Sequence, residues 1–430
     1  MQISETPIPG LLVLNIPVHG DNRGWFMENW QRQKMVAAGL PDFGPVQHNV
    51  SYNTSAGATR GIHAEPWDKL VSVIAGRVFS AWVDLREGDS FGATFTIEIE
   101  PGVAVFVPRG VANSYQTLED KTAYSYLVNA HWSADAEYTN VNLTDETIAI
   151  DWPLPMAEVS DKDKAHPRLG DVVPVPPRRS VILGADGQLG RALRALLPDA
   201  IALTRADLDL TDPAAYDSVP WDDVDTIYNA AAYTAVDAAE TPDGRRAAWA
   251  VNVTAVATMA RIATEHGLTL VNVSSDYVFD GTAESHTTDE ALSPLGVYGQ
   301  TKAAGEAVTS TVPRHYIVRT SWVIGDGGNF VSTMQRLARD GVSPTVVDDQ
   351  HGRLTTAAEL AAGIVDLVRT GAPYGIHHVT GGGPVKTWAD IAREVFEAEG
   401  RDAADVTGVS TKVYGEGKQL APRPRHSALD

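Results

Sequence analysis

Tyr298 and Lys302 stand four residues apart in Tyr298-Gly299-Gln300-Thr301-Lys302. On a helix that spacing puts a phenol and an ammonium on one face. A nearby ammonium favours the phenolate and brings a tyrosine toward working pH. The phenol can then protonate a carbonyl oxygen while hydride reaches the carbon. Ser275, in Ser274-Ser275-Asp276-Tyr277, follows an apolar run and would hold the same oxygen. A lone YxxxK arises by chance; one with a serine upstream and a glycine-rich turn before it is much harder to obtain that way.

That turn is Gly184-Ala185-Asp186-Gly187-Gln188-Leu189-Gly190, directly after the apolar run 181–183. Its glycines fall as GxxGxxG, one residue off the usual dinucleotide fingerprint. The first permits a tight turn, the second a close backbone approach to pyrophosphate, and the third helix packing against the strand. Taken alone, it is either a nucleotide site or a glycine-rich turn. Further on, Ala202-Leu203-Thr204-Arg205 follows the second strand. Arg205 either accepts the 2′-phosphate of an NADP-type cofactor or is a solvated surface arginine. Asp207 and Leu208, on the next loop, would flank the adenine.

The first half holds Asp21-Asn22-Arg23-Gly24, Thr59-Arg60-Gly61-Ile62-His63 and Lys69. Arg23, Arg60 and Lys69 in a small barrel could clamp a diphosphate and a developing oxyanion. His63 beside Arg60 is either a base or a structural histidine.

These residues must be positioned by two different kinds of element. Residues 70–74, 78–83, 95–99 and 104–108 read as short strands separated by turns, the pattern of a sandwich or small barrel. Residues 31–39 are the helical candidate of this half. The stretch 166–179 holds four prolines and reads as a semi-rigid linker. After it, strands at 180–183, 226–230, 269–273 and 316–319 alternate with helices from Gln188 and near 241–266, the grammar of a parallel sheet with helices on both faces.

At 430 residues the chain has room for two or three domains. Apolar residues form 43%, enough for ordinary cores. The 34 basic and 55 acidic residues leave −21 formal charges, which argues against a nucleic-acid or anionic-membrane binder. Without cysteine, disulfides, thiolate catalysis and Cys-ligated metal sites are excluded. A metal at an interface stays open, but no metal-ligand spacing stands out. No run approaches the ~20 apolar residues of a membrane span, and no secretory signal is visible at the N-terminus, so a cytoplasmic protein is expected.

The second half resembles the extended short-chain dehydrogenase/reductases, and among them the dTDP-4-dehydrorhamnose reductases. The resemblance rests on GADGQLGRAL (184–193), DLDLTD (207–212), NAAAYTAVDAAE (229–240), VNVSSDYVFDG (271–281), PLGVYGQTKAAGE (294–306), RTSWVIG (319–325), VDDQHGRLTT (347–356) and RPRHSALD (423–430). It covers essentially all of 180–430. It implies a Rossmann-like doubly wound sheet with a small substrate-binding subdomain, and Ser275, Tyr298 and Lys302 as catalytic residues. Ser275 stands where the family usually has threonine; the hydroxyl is kept. By the resemblance, Gly184, Asp186, Gly187, Gln188, Leu189, Gly190, Arg205, Asp207 and Leu208, then Asn229, Ala230, Ala231 and Ala232, with Tyr298 and Lys302, bind NADPH, or else NADH. Thr234, Val236 and Asp237 lie near cofactor or sugar, and Trp322, Asn329 and Gln350 face substrate. Core packing is the alternative for Trp322.

Residues 1–165 resemble the dTDP-4-dehydrorhamnose 3,5-epimerases, which are cupin-type jelly rolls. Here the matches are VDLREGDSFG (83–92), VFVPRGVANSYQTLED (105–120), IAIDWPL (148–154) and VSDKD (159–163). The resemblance implies that His63, with Asp163 as its carboxylate partner, removes protons beside a 4-keto group, and that Lys69 stabilises the enolate. It also places Arg23, Glu28, Gln47, Asn49, Arg60, Asn113 and Trp132 on the substrate side. The segment between His63 and Lys69 is shorter than usual, Asn113 replaces a histidine, and Trp132 stands where the family's proton-donating tyrosine falls. An indole N–H is too weak an acid for that step. His131, Tyr126 or a water replaces it, or one carbon only is epimerised, or this half only binds sugar.

The resulting expectation is a fused enzyme: a jelly-roll epimerase over 1–165, a linker over 166–179 and a reductase over 180–430. It would epimerise a dTDP-4-keto-6-deoxyhexose at C3 and C5 and then reduce its C4 ketone. The alternatives are an active reductase carrying a limited or silent sugar-binding or dimerisation module, and a reductase-like regulatory subunit. The resemblance also suggests a homodimer through the jelly roll of the N-terminal half, whose edge strands are natural partners.

Overall fold

The computed structural model describes residues 1–133 and 136–430. The chain divides into two compact units, Met1–Pro177 and Arg178–Asp430.

In the first unit, short β-rich segments bounded by turns pair into two antiparallel sheets. One runs, in spatial order, Gln2–Glu5, Leu12–Asn15, Val103–Val107, Lys69–Ala75, Thr122–Val128 and Gln47–Asn53. The other runs Thr139–Asn140, Thr59–Ala64, Val111–Thr117, Val78–Asp84 and Thr94–Ile99. Alternate residues of both sheets, among them Val71, Val105, Trp82 and Tyr115, bury into one apolar core. The register sets Asn113 opposite His63 and Val128 opposite Lys69. The helix read at 31–39 is Arg32–Ala37, capped by the Gln31 side chain.

The proline-rich stretch differs from its reading as a linker. Through Pro177 it belongs to the first unit. His166 and Leu169 are buried, and Val175 exchanges backbone hydrogen bonds with Leu85 and Glu87. Proline rules out regular pairing but not packing, and the apolar residues between the prolines find a core to cover.

The second unit is built on a six-stranded parallel sheet. Its spatial order is Ile201–Leu203, Arg179–Leu183, Val224–Asn229, Thr269–Val273, His315–Arg319 and Gly375–His378. The second strand in sequence lies on one side of the first and the third on the other. The order thus reverses at Arg179–Leu183, where a crevice forms at the carboxyl ends. Helices Gln188–Leu196, Ala255–Glu265, Val297–Thr309 and Ala357–Arg369 bury their apolar stripes on the sheet and its core clusters. The helix expected near 241–266 is interrupted by a π-turn, Ala250–Thr254. That turn points Asn252 inward, where it accepts from the Tyr233 N–H and donates to Tyr233 O and Thr301 Oγ1. A smaller body of three two-stranded pairings and helices Phe330–Arg339 and Trp388–Ala398 packs around Met334, Val346 and Phe396.

A buried ion pair ties helix Val297–Thr309 to the sheet. Arg319 donates to Glu306 through Nε (3.0 Å) and Nη2 (2.8 Å), and both side chains are almost fully enclosed. Ser274 Oγ donates to the same carboxylate at 2.5 Å. Glu306→Gln leaves the guanidinium buried and uncompensated, so the second unit should lose about 3–5 kcal/mol of stability. Urea unfolding of the full chain checks this; an unchanged midpoint would refute it. Among the described residues no helix is long and apolar enough to cross a membrane.

Candidate active sites

In the second unit the glycine turn sits at the reversal point. Gly184 has φ +75°, which favours glycine, and a Cβ there would lie 2.9 Å from Ala231. A Cβ on Gly190 would meet the Gly184 carbonyl oxygen at 2.1 Å. Gly187 caps the helix Gln188–Leu196 without a side-chain hydrogen bond, so the first-turn amides lack a side-chain cap. Asn229 holds the facing strand end: it donates to Asn272 (2.9 Å) and accepts from the Ala231 N–H (3.2 Å). Gly184 thus lies against Ala231 at the carboxyl ends of neighbouring strands, with Ala230 and Ala232 half-buried, Gly187 and Thr234 exposed and Val236 half-buried.

Arg205 is exposed at the end of the second strand. Asp207 accepts from the Thr204 N–H and hydroxyl (2.9 and 2.7 Å), so it closes its own turn. Leu208 departs from its expected place beside an adenine. It is buried in the core with Val181 and Ile227, because an apolar side chain facing the sheet gains more there. Leu189 is likewise buried under the turn, while Asp186 is exposed and Gln188 reaches the Gly328 carbonyl (3.1 Å).

Ser275 and Tyr298 share a hydrogen bond, while the Lys302 ammonium, one turn along the helix, turns elsewhere. Burial and the neighbouring Asp276 push the Tyr298 hydroxyl up to about 12, against a hydrogen bond with Ser275. Tyr298 is half-buried as a residue, and its hydroxyl is enclosed by protein atoms. Lys302 donates to the Val273 carbonyl at 2.5 Å instead of meeting the phenol. Burial lowers its ammonium to about 8, with Glu306 opposing. The phenol is therefore a protonated acid at neutral pH, not a phenolate. Ser275 Oγ donates to Asp276 at 2.8 Å. Burial raises Asp276 to about 6 despite its hydrogen bonds with Ser427 and Ser275.

Two neighbours carried no role in the sequence reading. The Tyr277 ring stands edge-on to Tyr298, 5.7 Å between centroids. Arg423 pairs with Asp237 at 2.9 Å and shares a hydrogen bond with Tyr277. Their signals were RPRHSALD and the residue after Asp276, both of which matched a family without showing what they touch. Trp322 stacks on Trp388 (3.8 Å between centroids) and covers Gly352. Asn329 caps Phe330–Arg339 and bonds the Gly325 carbonyl (2.6 Å). Gln350 is buried and donates to Thr411 (3.0 Å).

In the first unit a cavity of about 710 Å³ is lined by Arg60, His63, Glu65, Lys69, Asn113, Tyr126 and Asp163, among others. His63 comes from strand Thr59–Ala64. Asp163 comes from the short helix Asp161–Lys164, whose cap Ser160 accepts from the Asp163 N–H (3.0 Å). His63 Nε2 lies 2.9 Å from Asp163 Oδ1. Burial works to raise the Asp163 carboxyl, but the His63 hydrogen bond and charge and the Gly61 N–H outweigh it and hold it below its usual value. Lys69 is buried and paired with Glu65 at 3.1 Å. This gives a base, an orienting carboxylate and a cation in one chamber.

Sequence-family models match both parts of the chain: the "dTDP-4-dehydrorhamnose 3,5-epimerase" family over residues 5–171, and the "RmlD substrate binding domain" family over residues 178–430. The chain belongs to both families. Its first part is 50% identical over 179 residues to a protein RmlC homolog of Streptococcus pyogenes, covering 40% of this chain and 90% of the relative. Its second part is 41% identical over 264 residues to a dTDP-4-dehydrorhamnose reductase of Mycobacterium tuberculosis, covering 58% and 84%. The Bacillus anthracis dTDP-4-dehydrorhamnose reductase, solved in complex with NADP, superposes with a TM-score of 0.55 at 33% identity, covering 59% of this chain and 90% of that one.

Several candidates of the epimerase-family part lie outside the cavity wall. Arg23 is exposed on the hairpin Val18–Asp21/Gly24–Met27 and pairs with Asp21 (2.5 Å), because the tip carries its own counter-ion. Glu28 pairs with Lys34 (2.5 Å). Gln47 donates to Asn49 (2.9 Å) and accepts from the Trp132 N–H (3.0 Å). Trp132 is 62% exposed. Asn113, inside the cavity, accepts from the Tyr124 hydroxyl at 3.1 Å.

Proposed function

We propose that this chain is a bifunctional enzyme of dTDP-L-rhamnose formation. An epimerase-like domain over 1–165 inverts C3 and C5 of dTDP-4-keto-6-deoxyglucose, and a reductase domain over 180–430 reduces the C4 ketone. The observation that carries the first activity is the His63–Asp163 bond beside Lys69 in one cavity. Protons at C3 and C5 are both α to the ketone, so one base and one oxyanion donor serve both carbons. The sheet pair fits a cupin-type jelly roll. The 2-1-3-4-5-6 strand order fits a Rossmann-like doubly wound sheet, and the smaller body around Phe396 fits a substrate-binding subdomain.

The glycine cradle fits a dinucleotide: two of its glycines admit no Cβ, and the helix Gln188–Leu196 begins without a side-chain cap on its amides. Gly184, Gly187, Gly190 and Asn229 with its alanines would hold NADPH, which supplies hydride when bound; NADH is the lesser partner. Arg205, exposed after the second strand, would meet the 2′-phosphate. Arg205→Ala should raise the KM for NADPH about tenfold and leave that for NADH nearly unchanged, the size of one charge-assisted contact. Equal effects on both would remove Arg205 from cofactor choice.

A reductase with a limited epimerase domain is the second reading, favoured by Trp132: an exposed indole stands where the family has its acid. NMR of dTDP-4-keto-6-deoxyglucose in D2O, without and then with NADPH, decides. Deuterium at C3 and C5 followed by dTDP-L-rhamnose supports both activities; deuterium at one carbon supports the limited domain. Absence of exchange sinks the epimerase reading. Exposed Phe26 and Val50, on the hairpin and an edge strand, support a homodimer through this domain. Cytoplasmic residence remains part of the same proposal.

A further inference from the structure

His166 is used by neither activity. It lies behind Asp163, and its ring stands edge-on to that of His63, 5.2 Å between centroids. Its side chain is 5% exposed, and its Nε2 has no hydrogen-bond partner. That nitrogen is 3.8 Å from Asp163 Oδ1, the same oxygen that His63 Nε2 approaches to 2.9 Å. One candidate ligand atom from each of the three residues falls within 4.8 Å of the others. A buried imidazole nitrogen left without a partner has lost its water and gained nothing in return. Here it aims at an oxygen already shared with another imidazole.

We propose that His63, Asp163 and His166 form a site for a divalent transition metal, Zn²⁺ above all, and that metal binding there silences the epimerase. Two imidazoles and a carboxylate suit Zn²⁺, which takes such ligands at about 2.0–2.2 Å in a tetrahedron. That geometry sets ligand atoms about 3.3–3.4 Å apart. The two nitrogen–oxygen separations, 2.9 and 3.8 Å, bracket this value, and all three ligand atoms already fall within 4.8 Å of one another. Mg²⁺ and Ca²⁺ demand six or more oxygens and are not favoured. The fourth position is left for water, since His63 and Asp163 both line the cavity.

The consequence rests on the reading of His63 as the base. In the metal-free site Nε2 donates its proton to Asp163 and Nδ1 keeps a lone pair. On coordination through Nε2 that proton moves to Nδ1. The ring stays neutral, the metal is neither oxidised nor reduced, and no lone pair remains to take a proton from the sugar. Asp163 meanwhile spends its charge on the metal instead of the imidazolium. The reductase does not pass through these groups.

The test uses the full chain, treated with EDTA and then freed of it. Titration with Co²⁺ should give the visible absorption of a tetrahedral site at one ion per chain, and Zn²⁺ should displace it. His166→Phe, or His166→Gln if the first fails to fold, should weaken binding at least tenfold. Deuterium entry at C3 and C5 should fall over the same Zn²⁺ range and return with EDTA. No stoichiometric binding, or binding indifferent to both His166 variants, overturns the site. Binding that depends on His166 while exchange continues keeps the site but overturns its control of the epimerase. Exchange absent even without metal overturns the epimerase reading alone, because Co²⁺ binding still decides the site.

Discussion

Tyr298→Phe should reduce NADPH-dependent turnover by ~10³-fold or more while leaving cofactor binding nearly unchanged. The phenylalanine keeps the ring against Tyr277 and removes only the hydroxyl. That hydroxyl is held by Ser275, and burial keeps it protonated far above neutral pH. It is therefore the proton donor to the oxygen that becomes an alkoxide as hydride arrives. Ser275→Ala should be milder, because it removes a holder and not the donor. Lys302 adds a pH signature. Its ammonium, lowered to about 8 by burial, is charged below that value and neutral above it. If the charged form supports turnover, kcat falls as pH rises through about 8. Stopped-flow loss of NADPH absorbance measures both effects, and cofactor fluorescence measures binding. A Tyr298→Phe enzyme with ordinary turnover would end the assignment.

Short-range chemistry was legible before the fold was. The glycine turn is read within one strand–turn–helix and the Tyr298–Lys302 spacing within one helix face, where spacing sets which residues share a side but not where their side chains end. Strands such as Val78–Asp84 and Thr269–Val273 were legible for the same reason. What escaped depends on contacts between distant segments. Leu208 reads as a loop residue, yet faces the core. The π-turn that aims Asn252 at Tyr233 has no local sign in AVNVT. Asn329 and Gln350 carry family motifs, but their side chains hold the starts of two helices, Phe330–Arg339 and Thr411–Tyr414. The direction in which Lys302 points could not follow from spacing: four residues put it on the side of Tyr298, but the Val273 carbonyl captures it. The cluster of His63, Asp163 and His166 joins a strand to a helix a hundred residues later, so no ligand spacing announces it.

His63→Ala should lower deuterium entry at both C3 and C5 by ~10²–10⁴-fold, the range a positioned general base supplies. Both carbons should fall together, since both protons are α to one ketone and Lys69 can steady one enolate oxygen for either. Asp163→Asn separates orientation from basicity. It keeps the shape behind the ring but removes the charge that the His63 hydrogen bond and imidazolium exploit. Exchange should fall by a smaller factor, and more steeply as the charged ring becomes the obligatory intermediate. In both variants, reduction of a substrate already inverted at C3 and C5 should proceed at the parent rate, because the reductase residues lie in a different unit. Selective loss at one carbon would mean that a second group serves the other; Tyr126, on the cavity wall, is the first to substitute by phenylalanine. Unchanged exchange in His63→Ala would remove the histidine from proton abstraction and leave this chamber a binding site.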